Sequence, residues 1–233
     1  PVEWHQDWAF YPHTNDDVLA VGVMLDEMTP DNGPLLCVPG SHKGPAFDHH
    51  QDDRFVGAVD PEEPGLNLDQ AELITGPVGA CSFHHVRTMH GSAQNTSGRD
   101  RTLLLLQVAA ADAWDLRGLR PGSTWEDYVA TFLAGEPTNQ PRLTSVPVRL
   151  PYPEPLKGGS IYESQCAGRS FPITHESYRS SGPLRDPVEH ARGDAHPAAH
   201  HPAVARPELP ARSGRRGRAR VARGHELARR RGE

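Results

Sequence analysis

The tripeptide His5-Gln6-Asp7 sets an imidazole and a carboxylate two positions apart. On extended backbone, residues i and i+2 point to the same side. The pair can therefore offer a nitrogen and an oxygen to one divalent cation. Two ligands seldom hold an ion tightly, so a third is needed. His90, in MHGSAQN, stands where a predicted strand ends at a glycine turn and supplies a second imidazole. Two histidines and one carboxylate on one face of an octahedral ion are the donor set of non-haem Fe(II) centres, with positions left open for other ligands. Arg101 opens the apolar run RTLLLLQ. An arginine at a strand start is normally a surface residue, but a buried one can grip a carboxylate through two parallel hydrogen bonds.

Such groups need short strands to position them. VLAVGVMLDEM (18–28) reads as a core strand, and LLCV (35–38) as a short one between Asn32-Gly33 and Pro39-Gly40. ELITGPVGACSFHHV gives two strands around Gly76-Pro77, and 101–112 another. Short strands with turn signals between them predict an antiparallel sandwich or barrel. Residues 44–70, rich in Asp, Glu, His, Gly and Pro, read as a long loop of the lid or binding type that shapes substrate choice. Residues 123–136 read as a helix capped by Ser123, with Glu126 completing a capping box and Trp125, Val129 and Phe132 on one face.

Composition narrows the classes. No run of about 18 apolar residues is present to span a membrane. Three cysteines, Cys37, Cys81 and Cys166, without CxxC spacing point to a reduced, cytoplasmic setting. Cys37 and Cys81 read as buried small residues in strands. Residues 1–170 hold 11 Lys+Arg against 23 Asp+Glu, a net −12. That acidic body argues against a nucleic-acid partner. Residues 171–233 hold 13 Arg, no Lys and 7 Asp+Glu, a net +6, with no periodic apolar pattern. The expected division is a domain at 1–165 and a disordered Arg/Pro/Ala/His-rich tail at 166–233. Abundant arginine without lysine is what GC-rich DNA gives when read in a wrong frame, so a frameshift near 166–171 is expected. The nucleotide sequence tests it.

Four motifs in order, HQD, NGPLLCVPGSHKG, HGSAQN and RDRT, closely resemble the phytanoyl-CoA dioxygenase family of Fe(II)/2-oxoglutarate oxygenases. The resemblance covers about residues 1–165. It implies a mainly β fold, a double-stranded β-helix of jelly-roll or cupin-like type with a few flanking helices, here incomplete at its N-terminus. It implies His5, Asp7 and His90 as iron ligands, Arg101 as partner of the distal carboxylate of 2-oxoglutarate, and Ser92 as a second contact to that cosubstrate. Asn32-Gly33 and the 39–43 PGSHK motif are implied to close the turns that keep the strands in register. The implied reaction uses O2 and 2-oxoglutarate, releases succinate and CO2, and hydroxylates an aliphatic C–H bond of a small molecule. In related halogenating enzymes a small residue replaces the carboxylate, so Asp7 favours hydroxylation.

The other histidines read differently. Adjacent strand residues point to opposite faces, so one of His84 and His85 is expected inside and the other outside. His49 and His50 read as solvated. Trp4, Trp8, Phe10 and Tyr11 read as packing at the barrel mouth, with some walling the substrate pocket. Three further readings stand beside the oxygenase. They are a ligand-binding β-helix without turnover, a cupin with another metal, and an inactive fragment.

Overall fold

The computed structural model describes residues 1–156 and 160–166. Beyond Cys166, the expected tail and its frameshift lie outside the described residues. Among the described residues, nine strands run in chain order. They are β1 (Val2–His5), β2 (Val18–Met24), β3 (Leu35–Cys37), β4 (His50–Gln51), β5 (Arg54–Phe55), β6 (Glu72–Ile74), β7 (Cys81–His85), β8 (His90–Ser92) and β9 (Leu103–Ala109). One antiparallel sheet has the order β1-β8-β3-β6, a second has β7-β2-β9, and β4-β5 is a hairpin. The two larger sheets form a mainly β sandwich of the expected jelly-roll class. No helix among the described residues is long and apolar enough to cross a membrane.

Alternation fixes which side chains face inward. In β2, Val18, Ala20 and Met24 are buried while Leu19 is 42 % exposed. The strand stops at Met24 rather than at Met28, because Asp26 turns away to accept a hydrogen bond from Thr102 N–H at 2.8 Å. In the first sheet, Cys37 pairs with His90 and Leu35 with Ser92, while Leu36 pairs with Gly91. His90, Ser92, Cys37 and Leu35 thus share the inner face, and Leu36 lies on the outer one.

That outer face carries the main core. Trp4, Leu36, Val38, Val59 and Met89 cluster there, with Phe47, Leu66 and Leu68 packed against them. Val59, Phe47, Leu66 and Leu68 come from 44–70. The expected lid is therefore an ordered insertion lying against the back of the first sheet. Val59 N–H bonds Trp4 O at 2.8 Å, and the β4-β5 hairpin folds within the insertion. Its apolar residues are too scattered to show a period, which is why the segment reads as loop. A second cluster joins Trp8, Tyr11, Val18, Val86 and Ala113.

The turn motifs do what the resemblance implied. Asn32 is buried, accepts from Thr29 N–H at 2.9 Å and donates to Glu27 O at 2.7 Å. Gly33 has φ +76°, and a Cβ there would lie 2.8 Å from Ala93 O. Ser41 donates to Val38 O at 2.7 Å and accepts from Met89 N–H at 2.8 Å, tying the end of β3 to the residue before His90.

Two expectations need correction. Helix α1 is only Trp125–Val129, capped by Thr124 with Asp127 completing the box, one residue later than expected. Thr131 turns its hydroxyl onto Tyr128 O as the helix ends. Cys81 is exposed and Cys37 half-buried, because Cys81 lies on the outer face of an edge strand. A second short helix, α2 (Ile161–Cys166), reaches β1 through Gln165, which accepts from Glu3 N–H at 2.9 Å and donates to Gly57 O at 2.8 Å.

Candidate metal centre

His5 and His90 stand directly opposite each other across β1 and β8, their ring centroids 4.1 Å apart. Between Val2 and His5 the register slips by one residue relative to β8. Such a bulge re-aims side chains. Asp7 is not on the strand but opens a 3-10 turn, Asp7–Ala9. Gln6 between them stays extended at φ −115°, ψ 129°, so His5 and Asp7 still face one side.

One ligand atom from each of His5, Asp7 and His90 lies within 4.8 Å of the other two, the one such cluster among the described residues. His5 Nε2 is 3.6 Å and His90 Nε2 3.7 Å from Asp7 Oδ1. These separations are too long for hydrogen bonds. They sit about 0.6–0.7 Å above the ~3 Å between neighbouring ligands of an octahedral ion with bonds near ~2.1 Å.

The tautomers also suit a cation. His5 Nδ1 is 2.7 Å from Glu3 O, and His90 Nδ1 2.8 Å from Thr88 O. A carbonyl only accepts, so each Nδ1 carries a hydrogen, and each Nε2 is the ring nitrogen turned to Asp7. This is the arrangement in which outer hydrogen bonds orient ligating imidazoles. Burial, then the neighbouring His5, pushes the His90 pKa down to about 3, with Asp7 opposing. Burial raises the Asp7 carboxyl, but His90, His5 and His84 outweigh it and hold the group well below the usual carboxylate range. Neutral imidazoles and an ionised carboxylate are the forms that bind metal. The donor set fits a divalent ion such as iron.

Ser92 lies two residues beyond His90 on the same inner face, and its hydroxyl accepts from Val2 N–H at 3.1 Å. Arg101 precedes β9 by two residues. The register Met24↔Leu103 places Leu103 on the inner face, and Arg101 shares its parity. Its Nε is buried without a hydrogen-bond partner, and burial lowers its pKa. A buried guanidinium N–H without an acceptor is uncommon and calls for an explanation.

Three contributors escaped the sequence reading: Gln6, His49 and the placing of Tyr11 beside Asp7. Gln6 is 1 % exposed; its amide donates to Pro45 O at 3.0 Å and Arg87 O at 2.8 Å and accepts from Phe47 N–H at 2.9 Å. Strand alternation alone would have turned Gln6 away from the site. His49, expected in solvent, is 2 % exposed. Its Nδ1–H donates to Phe47 O at 2.9 Å, and its Nε2 accepts from Gln6 N–H at 2.8 Å. Nothing in the acidic 44–70 segment signals that contact. Tyr11 is buried, and burial and then the nearby Asp7 carboxylate raise its pKa. The His84-His85 pair diverges as expected, and it is His84 that faces inward. His85 turns out towards Asp16 and His42, its Nε2 3.9 Å from Asp16 Oδ2.

His5, Asp7, His90 and Arg101 all lie in a stretch that is similar to known proteins. Residues 1–103 match the family profile of phytanoyl-CoA dioxygenase. A "Probable alpha-ketoglutarate-dependent hypophosphite dioxygenase" of Stutzerimonas stutzeri is 46% identical over 171 residues, 72% of this chain and 59% of the relative. The L-proline trans-4-hydroxylase of Streptomyces griseoviridis is 32% identical over 123 residues, 44% of this chain and 46% of the relative. The chain thus spans between about half and three-fifths of these two relatives. Among solved structures, EvdO2 from Micromonospora carbonacea var. aurantiaca complexed with 2-oxoglutarate superposes with a TM-score of 0.41 and 26% identity, covering 52% of this chain and 49% of that one. With the motif order, the two facing histidines and the matched profile in agreement, residues 1–103 belong to the phytanoyl-CoA dioxygenase family.

Proposed function

We propose that this sandwich is the metal-holding part of an Fe(II)- and 2-oxoglutarate-dependent dioxygenase that hydroxylates a small molecule. One observation carries the reading. His5 Nε2, His90 Nε2 and Asp7 Oδ1 converge, with both Nδ1 hydrogens anchored on backbone carbonyls. His5, Asp7 and His90 hold the ion. Bound there with 2-oxoglutarate, it supplies dioxygen activation coupled to oxidative decarboxylation, leaving succinate and CO2. Asp7 contributes one negative charge and leaves the remaining positions open. Arg101 orients the cosubstrate by gripping its far carboxylate, and the Ser92 hydroxyl provides a second contact. The bond hydroxylated is an aliphatic C–H. A second reading of the substrate, the P–H bond of hypophosphite, is favoured by the 46% identity to the S. stutzeri relative.

The test is iron-dependent succinate formation from 2-oxoglutarate with L-proline or hypophosphite present. A ligand-binding protein without turnover, or an inactive fragment, forms no succinate. A cupin with a different metal shows no dependence on 2-oxoglutarate.

A further inference from the structure

The Asp7 carboxylate has two oxygens with different surroundings. Oδ1 faces Nε2 of His5 and of His90. Oδ2 faces Nε2 of His84, 3.6 Å away. His84 comes from the other sheet: it pairs with Ala20 in β2 and so points inward across the sandwich, its ring centroid 4.4 Å from that of His90. Its side chain is 9% exposed. Neither ring nitrogen has a hydrogen-bond partner. A buried imidazole without partners forgoes the hydrogen bonds it would make in water, and such groups in native proteins call for an explanation. His84 is also not among the ligand atoms that lie within 4.8 Å of one another. It is beside the cluster rather than in it.

We infer that His84 is a positioning residue for Asp7. Its Nε2–H donates to Asp7 Oδ2 when Oδ1 is engaged by the metal. The Nε2–H tautomer follows from electrostatics, because His84 lies outside the ligand cluster and a lone pair turned to a carboxylate oxygen with no cation between them is repelled. The gap of 3.6 Å exceeds a charge-assisted N–H···O bond by about 0.8 Å, a distance that a small rotation of either side chain covers. The hydrogen bond restricts Asp7 to one metal-binding oxygen, which keeps the open positions free for cosubstrate and O2. Outer partners of this kind change metal affinity by about 10- to 100-fold when removed. The inference rests on the metal reading of His5, Asp7 and His90.

The experiment titrates the full 233-residue chain with Co(II) under anaerobic conditions, followed by calorimetry and by the visible absorption of the bound ion. Three proteins are compared: wild type, His84→Phe and His84→Gln. His84→Phe is expected to weaken Co(II) binding about 10- to 100-fold and to alter the absorption band, because a carboxylate free to bind through both oxygens changes the coordination. His84→Gln, whose amide still donates, is expected to restore most of the affinity and the wild-type band. Unchanged affinity and spectrum in His84→Phe would overturn the inference while leaving the metal reading intact. So would complete loss of binding in both variants, since that marks His84 as a ligand. Failure of wild type to bind Co(II) overturns both.

Discussion

The outer faces of the two sheets are treated in opposite ways. Behind the sheet that carries His5 and His90, Leu36 is 1% exposed and Met89 fully buried under the 44–70 insertion. Behind the β7-β2-β9 sheet, Phe83 is 68% exposed and Leu106 40%. The strands differ as well. β1 and β8 are short, bulged and rich in buried polar groups, whereas β2 and β9 pair in unbroken register over seven residues. The regular ladder holds itself together through backbone bonds. The irregular one depends on what is packed behind it. The proposed metal site therefore sits on the sheet with the poorer ladder and the better buttress, where a bulge and a 3-10 turn aim three candidate ligands at one point.

The largest effect separating these regions comes from the ligands. His90→Ala or Asp7→Ala is expected to abolish metal binding and turnover, since a three-ligand site has none to spare. Calorimetry with Mn(II) checks it, and a retained affinity would remove the triad assignment. Next is the contrast in packing. Leu36→Ala should cost about 2–5 kcal/mol in urea unfolding, and Phe83→Ala no more than about 0.5 kcal/mol. Equal costs would mean that the outer faces are not different after all. Gln6→Ala strands Phe47 N–H, Pro45 O and Arg87 O. At roughly 1 kcal/mol per net hydrogen bond, about 3 kcal/mol of stability should be lost, along with alignment of the two ligands that flank it. Arg101→Ala removes a charge-assisted contact worth about 1.5–3 kcal/mol, so the 2-oxoglutarate concentration for half-maximal succinate release should rise about 10- to 150-fold. No change would free Arg101 from the cosubstrate.

Legibility followed the same divide. β2 and β9 show in the sequence because apolar residues crowd them, whichever face they occupy. His5, Asp7 and His90 show because donor type and motif order are written locally. The buttress does not. Val59, Phe47 and Leu66 are apolar residues among acids and prolines, and only contact with Trp4 and Leu36, distant in sequence, makes them core. The inward turn of His84 rather than His85 depends on the β7–β2 register, which fixes Ala20↔His84 and Leu19↔His85. A pattern of two adjacent histidines says that they diverge, not which goes where. Ser123 and Thr124 are equally able caps, and the box with Asp127 decided for the second.

His49 offers the finest probe of the buttress. It is neutral in the folded protein, its pKa pushed down to about 3 by burial and then by nearby His5, against about 6.5 when exposed. Between those values the unfolded chain binds a proton that the folded one refuses. Stability from this group is therefore fully present above about pH 6.5 and falls as pH drops, by up to about 1.4 kcal/mol per unit, levelling off near pH 3. His90 adds a similar slope of its own in the metal-free protein, since its pKa is also pushed down to about 3. The two are separated by His49→Gln, which keeps an acceptor for Gln6 N–H but has nothing to titrate. In metal-free protein its unfolding free energy should decline less steeply between about pH 6 and pH 4 than that of wild type, by about 1.4 kcal/mol per unit. Parallel profiles would place His49 in solvent, and with it the loose end of the buttress behind Gln6.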